Sequence, residues 1–176
     1  MNWYKTAVSF KEVIDNTSPN DRIFMTRDDS FNFRDESGNQ GISLKPNGLW
    51  YACGAGWLEF VQREWQSEAE KNIFKIEINP SSMLMIDNGE DFVNFSKEFG
   101  IKDSFVQQID WSRVASMYSG IEISPYQARY RMSDEHGWYY PWDIASGCIW
   151  GADGILGVEM IHDDVEAPLS RVYEEY

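Results

Sequence analysis

The chain has few of the residues that build metal sites or disulfide frameworks. Its 176 residues include only two cysteines, Cys53 and Cys148, and two histidines, His136 and His162. None of these has the close spacing of a zinc motif, so we expect no structural metal site. The two cysteines lie far apart in sequence, and we expect both to stay reduced in a cytosolic setting.

Long apolar runs are also missing. No stretch approaches the ~18 apolar residues of a membrane-spanning helix. The N-terminal segment MNWYKTAVSFKEVIDN carries charges where a secretory signal peptide has its apolar stretch. We therefore expect a cytoplasmic protein that does not cross a membrane.

Basic residues are scarce relative to acidic ones. Fifteen Lys and Arg face 29 Asp and Glu, which gives a formal net charge of −14. A surface of this sign repels nucleic acid backbones, so the charge argues against direct nucleic acid binding. It favours a basic protein as a partner.

Several catalytic and nucleotide-binding motifs do not occur in the sequence. It contains no G-x-G-x-x-G, no GxxxxGK[ST], no HExxH and no GxSxG. These absences argue against a Rossmann dehydrogenase, a P-loop enzyme, a zinc hydrolase and an α/β-hydrolase.

The residues that are present predict an α+β fold. Hydrophobic content of 43% with 25% charged residues is typical of a globular protein. We expect one compact domain over residues 1–162 and an acidic C-terminal tail over residues 163–176. Short strands without regular βαβ alternation predict mixed or antiparallel pairing in a split sheet, with two to four helices.

Turn signals and periodicity set the expected elements along the chain. Helices are expected at 9–16, from Gly54 onward, from Asn88 to Phe99, and after Asp110 through Tyr118. The second of these carries Trp57, Phe60, Val61 and Trp65 on one apolar face. Strands are expected at 22–26, 30–33, 49–52, 73–78, 83–86, 120–124 and 155–160.

Two candidate sites lie in the first half of the chain. Arg27, at the exit of an early strand, is either a phosphate ligand or a solvated arginine paired with its acidic neighbours. The segment KPNGLWYACGAGW brings Trp50 and Tyr51 through glycines into a helix with Trp57. Glycines at such a junction permit close approach of a ligand, although the aromatic rings also suit a core.

Two further candidates are carboxylates in the second half. Glu122 lies between Ile121 and Ile123 on a short strand. If the isoleucines face the core, Glu122 faces solvent or a cleft, and removing its charge should barely change stability. Asp143 is one of the few polar residues in the ring-rich segment 138–150, either as a cap of a helical turn or as a ligand contact.

The order of these segments resembles ADP-ribosyltransferase-like toxins and phage enzymes over about residues 22–124. An early strand with an arginine precedes a GLWY strand that enters a helix, followed by FKIEINPSSMLMIDNGEDFVNF and then IDWSRVASMYSGIEI. The resemblance implies an NAD-dependent transferase that cleaves NAD⁺, which serves as its substrate, and passes ADP-ribose to a macromolecular acceptor.

The resemblance also implies roles for individual residues. Glu122 and Tyr51 would be catalytic, and Ser43, which is the alternative match to Tyr51, would contact the cofactor. Arg27 would hold the pyrophosphate, Trp57 would stack on the nicotinamide together with Tyr51, and we add Asp143 as a further cofactor contact. The chain departs from the family in lacking a Ser-Thr-Ser triplet, and Gly120 stands where a Glu or Gln would precede Glu122 by two residues.

Two other functions stay open at this point. An acidic protein of this size could be a non-enzymatic inhibitor that occupies a basic groove made for nucleic acid, as phage counter-defence proteins do. The aromatic-rich segments could instead form a cleft that binds a sugar or a nucleoside without chemistry.

Overall fold

The computed structural model describes residues 9–64, 72–102 and 105–163. This part of the chain folds as α+β, as the sequence predicts. Its α-helices are α1 (Phe10–Asn16), α2 (Gly56–Glu64), α3 (Gly89–Phe99) and α4 (Trp111–Ala115). Its strands are β1 (Arg22–Thr26), β2 (Ile42–Ser43), β3 (Leu49–Cys53), β4 (Asn72–Ile78), β5 (Leu84–Ile86), β6 (Gly100–Ile101), β7 (Gln108–Asp110), β8 (Gly120–Ile123), β9 (Ser146–Ile149) and β10 (Ile155–Asp163).

Capping side chains fix the starts of three helices. Ser9 and Glu12 form a reciprocal capping box at α1, and Asn88 accepts a hydrogen bond from the Asp91 amide at the start of α3. Asp110 caps α4 through the Arg113 amide. Each cap satisfies a backbone donor that the first helical turn leaves unpaired. The starts expected at Asn88 and Asp110 are therefore confirmed, while Ser9, expected as the first residue of a helix over 9–16, is instead the cap of α1. Helix α4 ends at Ala115 and is shorter than predicted.

Seven strands form the main sheet, in the order β10-β4-β1-β3-β9-β8-β5. Neighbouring strands pair antiparallel except β5 and β8, which run parallel. A separate sheet of three short strands has the order β2-β7-β6. The split sheet that the sequence predicts is thus present.

The two faces of the main sheet have different covers. On the first, which we call the helix face, Ile23 and Met25 pack with Val13 of α1 and with Leu58 and Val61 of α2. Further along the helix face, α3 and α4 cover β8 and β9 through a large aromatic cluster; its fully buried rings are Phe92, Trp111, Trp138, Tyr139, Trp142 and Trp150. All three indoles that the sequence places in the segment 138–150 are therefore core.

On the second face, the loop face, alternate residues of the same strands meet a different set of side chains. Tyr51, Ile76 and Ile149 are buried there, with Phe31 and Phe33 of the segment between β1 and β2 packed against their cluster. The predicted strand at 30–33 is wrong, since these residues form an irregular segment. It packs by its rings rather than by a hydrogen-bonded ladder.

Some expected features differ in extent. On α2 the buried residues are Leu58 and Val61, while Trp57 and Phe60 are half-buried and stack at 5.4 Å; Trp65 lies outside the described residues. Asp163, expected to begin the tail, ends β10, and residues 164–176 lie outside the described part. Both cysteines are free thiols, as expected. Across the described ranges, no helix has the length and apolar character needed to traverse a bilayer.

Candidate functional site

Glu122 and Arg22 form an ion pair on the loop face of the main sheet. Arg22 Nε donates to Glu122 Oε2 at 2.9 Å, and Arg22 Nη2 donates to Oε1 at 3.0 Å. This two-point contact fixes the carboxylate plane as well as its position. The two residues are 100 positions apart in sequence, so the fold alone brings them together.

Tyr51 supplies a third hydrogen bond to the same carboxylate. Its hydroxyl donates to Glu122 Oε2 at 2.6 Å. A carboxylate offers about four lone-pair sites, so the three donors leave room for a further one. We call Arg22, Tyr51 and Glu122 the carboxylate cluster.

Strand register explains why these side chains meet. Tyr51 of β3 and Glu122 of β8 both lie opposite Gly147 of the intervening β9. Residues in one row across a sheet point to the same face. Because Gly147 has no side chain, the phenol of Tyr51 extends over β9 to the carboxylate. Arg22 reaches the cluster from β1, where it pairs with Cys53.

Burial of the cluster corrects one expectation. Glu122 is only 4% exposed, because both faces of β8 are covered. The prediction that it faces solvent or a cleft is therefore wrong. Removing its charge would leave Arg22 without its partner inside the protein, so we now expect a loss of stability.

The electrostatics of the cluster follow from the same contacts. The hydrogen bond to Glu122 raises the pKa of Arg22, against the opposing effect of burial. Burial, together with the nearby Glu122 charge, raises the pKa of Tyr51 well above its usual value. Burial and then Glu122 likewise raise the pKa of Cys53 to about 12. Tyr51 and Cys53 are thus neutral neighbours of one charge pair.

No family model, curated protein or solved structure matches this chain. Tyr51 and Glu122, both predicted to be catalytic, lie in direct contact. The other predicted site residues do not join them.

The early arginine in contact with Glu122 is Arg22 and not Arg27. Arg22 begins β1, whereas Arg27 follows its last residue, Thr26, and is exposed. Arg27 lies five residue steps after Arg22, or roughly 16 Å along an extended chain. Ser43 lies on the small sheet, where its hydroxyl donates to the Lys45 carbonyl at 2.6 Å. The contact with Glu122 thus selects Tyr51 rather than Ser43.

Trp57 and Asp143 also lie apart from the cluster. Trp57 packs with α2 against the helix face, on the opposite side of the sheet from Tyr51. The expected pairing of these two rings around one nicotinamide is therefore wrong. Asp143 is 65% exposed and forms an ion pair with Arg131 at 2.6 Å.

Sequence reasoning missed Arg22 and Gly147. Arginines stand at both ends of the RIFMT strand, and the pattern does not reveal which end meets a carboxylate about 100 residues later. Gly147 carries a usable signal, because a glycine inside an apolar strand often marks a close approach by another group. The segment SGCI has that form.

Arg22 also lines a surface groove. The groove has a volume of about 480 Å³, and its wall includes Asp21, Lys75, Glu77 and Glu159. Its size is within the range of pockets that bind small molecules. Among the described residues, no group of three or more His, Cys, Asp and Glu side chains is arranged to hold a metal ion.

Proposed function

We propose that the protein cleaves NAD⁺ and transfers ADP-ribose to a macromolecular acceptor, with Glu122 as the catalytic carboxylate. The observation that carries the proposal is the contact of Glu122 with Tyr51 and Arg22, from three strands separated in sequence. Arg22 takes the role that the resemblance implied for Arg27. The order of the cluster along the chain is then arginine, tyrosine, glutamate.

The proposed reaction needs a fixed negative charge beside a developing cation. When the C1′–N bond of the nicotinamide ribose breaks, the electron pair leaves with neutral nicotinamide and positive charge builds on the ribose. Glu122, already oriented by two partners, would stabilise that charge and accept a hydrogen bond from the ribose 2′-hydroxyl. A preorganised group of this kind contributes roughly 2.7–4 kcal/mol to transition-state stabilisation.

Arg22 has donors left for the diphosphate. Three of its N–H groups are used within the described residues, two by Glu122 and one by the Asn20 carbonyl at 3.0 Å. A guanidinium carries five, so two remain. In the proposed reaction NAD⁺ enters beside Arg22, and a phosphate oxygen replaces one of its contacts with Glu122. That exchange uncovers the buried carboxylate.

The acceptor completes the reaction. Its nucleophilic atom bonds to C1′ and releases a proton, so that NAD⁺ and acceptor give ADP-ribosylated acceptor, nicotinamide and H⁺. With no acceptor present, water takes its place and free ADP-ribose forms. The acidic surface, with a net charge of −14, favours a basic protein as the acceptor.

The test uses NAD⁺ that carries a label in its adenylate half, with and without cell lysate. It measures the nicotinamide released and the label transferred to a macromolecule. Wild-type protein should release nicotinamide and label a macromolecule. Glu122→Gln should lose at least ~100-fold in that rate. Glu59→Gln, an exposed carboxylate on the helix-face side, is the matched control and should keep full activity.

Circular dichroism must show that Glu122→Gln is folded at the assay temperature, because the change also breaks a buried ion pair. A wild-type protein that neither binds NAD⁺ in a thermal-shift assay nor releases nicotinamide ends the transferase proposal. Full activity in Glu122→Gln moves the catalytic carboxylate elsewhere, and Asp143→Asn is then the next variant to measure.

A further inference from the structure

We infer that Gly147 is a positioning residue of the carboxylate cluster: its missing side chain creates the gap through which Tyr51 reaches Glu122. The catalytic part of this inference rests on the proposed function. The structural part stands on the geometry of β3, β9 and β8 alone.

Tyr51 must reach across a strand to contact Glu122. β3 and β8 are not neighbours, because β9 lies between them. Two strand spacings separate Tyr51 from Glu122, or roughly 10 Å between their backbones. The Tyr51 hydroxyl nevertheless lies 2.6 Å from Glu122 Oε2, so the phenol must lie flat across the intervening strand.

This path requires free space above Gly147. A Cβ atom built on Gly147 would overlap both the hydroxyl oxygen and the Cζ atom of Tyr51. It would also come within 2.8 Å of the Ile121 carbonyl oxygen. Any side chain at position 147 therefore displaces the phenol or the strand beside it.

Backbone conformation does not explain the glycine at position 147. The glycines with positive φ among the described residues are Gly48 and Gly54, and Gly147 is not one of them. An alanine could adopt the Gly147 backbone without strain. Space for Tyr51, and for the Ile121 carbonyl oxygen beside it, is what the position demands.

Gly147 acts on Glu122 through Tyr51, so filling the gap at Gly147 and removing the Tyr51 hydroxyl should have the same chemical effect. Without the Tyr51 hydroxyl, Oε2 keeps Arg22 as its partner but loses its second donor. In the proposed reaction a phosphate oxygen replaces one of the two Arg22 contacts, and without Tyr51 the carboxylate is then free to turn about the contact that remains. Gly147→Ala and Tyr51→Phe should therefore lower the rate of nicotinamide release to a similar extent, and the double variant should fall no further.

The experiment has an arm that does not depend on catalysis. A buried tyrosine hydroxyl that donates to a carboxylate exchanges slowly and gives its own proton resonance, which is assigned by its loss in Tyr51→Phe. We expect this resonance in the wild-type protein and in Gly41→Ala, where an added Cβ meets nothing within 4 Å. We expect it to be absent in Gly147→Ala.

A stability arm covers the case in which Gly147→Ala folds poorly. Tyr51→Ala removes the ring above position 147, so Gly147→Ala should lower Tm less in that background than in the wild-type chain. The inference is overturned if no wild-type resonance disappears in Tyr51→Phe, if it survives in Gly147→Ala, or if the Tm loss is equal in both backgrounds. A wild-type protein without NAD⁺ cleavage ends the proposed function, and these two arms still decide the role of Gly147.

Discussion

Phe92 and Tyr130 stack nearly parallel, with their ring centroids 4.6 Å apart and their planes within 5° of each other. Phe92 is fully buried, and its ring also contacts Trp138 at 5.2 Å and Tyr139 at 4.8 Å. One side chain of α3 thus contacts three other rings of the helix-face core. Aromatic contacts of this kind add about 0.5–1.5 kcal/mol each beyond the area they bury.

Phe92→Ala should therefore lower the free energy of unfolding by about 3–5 kcal/mol, because it removes a buried ring and leaves a cavity. Phe105→Ala is the matched control: Phe105 is fully exposed, and its removal should change stability by about 0.5 kcal/mol or less. Urea unfolding followed by circular dichroism measures both. Equal losses in the two variants would contradict this packing.

The two arginines at the ends of β1 should differ in their effect on stability. Arg22→Met leaves Glu122 buried and without its charged partner, which should lower the free energy of unfolding by about 3–5 kcal/mol. Arg27→Met changes an exposed side chain, for which about 0–1 kcal/mol is typical. Urea unfolding of the two variants under identical salt tests the assignment, and it fails if Arg27→Met is the more damaging change.

Because of His136, we expect the protein to lose stability as the pH falls below about 6.5. Its Nδ1 lies 3.0 Å from Ser96 Oγ, which also accepts the Trp138 indole N–H at 2.7 Å. Burial lowers the pKa of His136 below its usual value of 6.5, so below that pH the unfolded chain binds a proton that the folded chain does not. The stabilising contribution is complete above about pH 6.5 and falls as the pH drops toward the folded-state pKa.

Urea unfolding at a series of pH values from 7.5 to 5 measures this effect. His136→Gln, which cannot titrate, should show a shallower loss of stability toward low pH than the wild-type chain. Identical slopes in the two proteins would show that other groups account for the pH dependence.

Both thiols should resist alkylation in the folded protein. With the pKa of Cys53 at about 12, only about one part in 10⁴ is thiolate at pH 8, and the buried Cys148 has its pKa raised well above the usual value. Iodoacetamide should label neither cysteine in native buffer and both in denaturant, as read by mass spectrometry. Rapid native labelling of Cys53 would contradict the environment described for the carboxylate cluster.

Local signals predicted much of the fold. Ser9, Asn88 and Asp110 each have the side-chain oxygen that a helix start needs, and each caps the expected helix. The alternation of apolar and polar residues likewise located the strands β4 and β8. The two-residue strands β2 and β6 were not predicted, because strands so short carry no periodic pattern of their own and form only by pairing with β7.

The candidate site was predictable only in part. The strand pattern around Glu122 singled this residue out as a candidate carboxylate. The inference that Glu122 faces solvent or a cleft failed, because the face of β8 opposite the two isoleucines is covered as well. Phe31 and Phe33, which pack on the loop face, follow β1 in a segment that sequence reasoning assigned to a strand. The choice of Arg22 over Arg27 depends on the register with which β1 pairs with β3, which local sequence does not encode.

The position of β9 has a consequence for the order in which the molecule is made. This strand separates β3 from β8 in the main sheet, yet it is the ninth of the ten described strands to leave the ribosome. A nascent chain that stops short of Ile149 holds Arg22, Tyr51 and Glu122 but lacks the strand that aligns them. Until β9 is made, β3 and β8 each have an unpaired edge. Unpaired strand edges are prone to pair with the wrong strand. Completion of this sheet therefore waits for the synthesis of β9, and we expect chaperones to bind, and proteases to degrade, chains truncated in the segment 124–145.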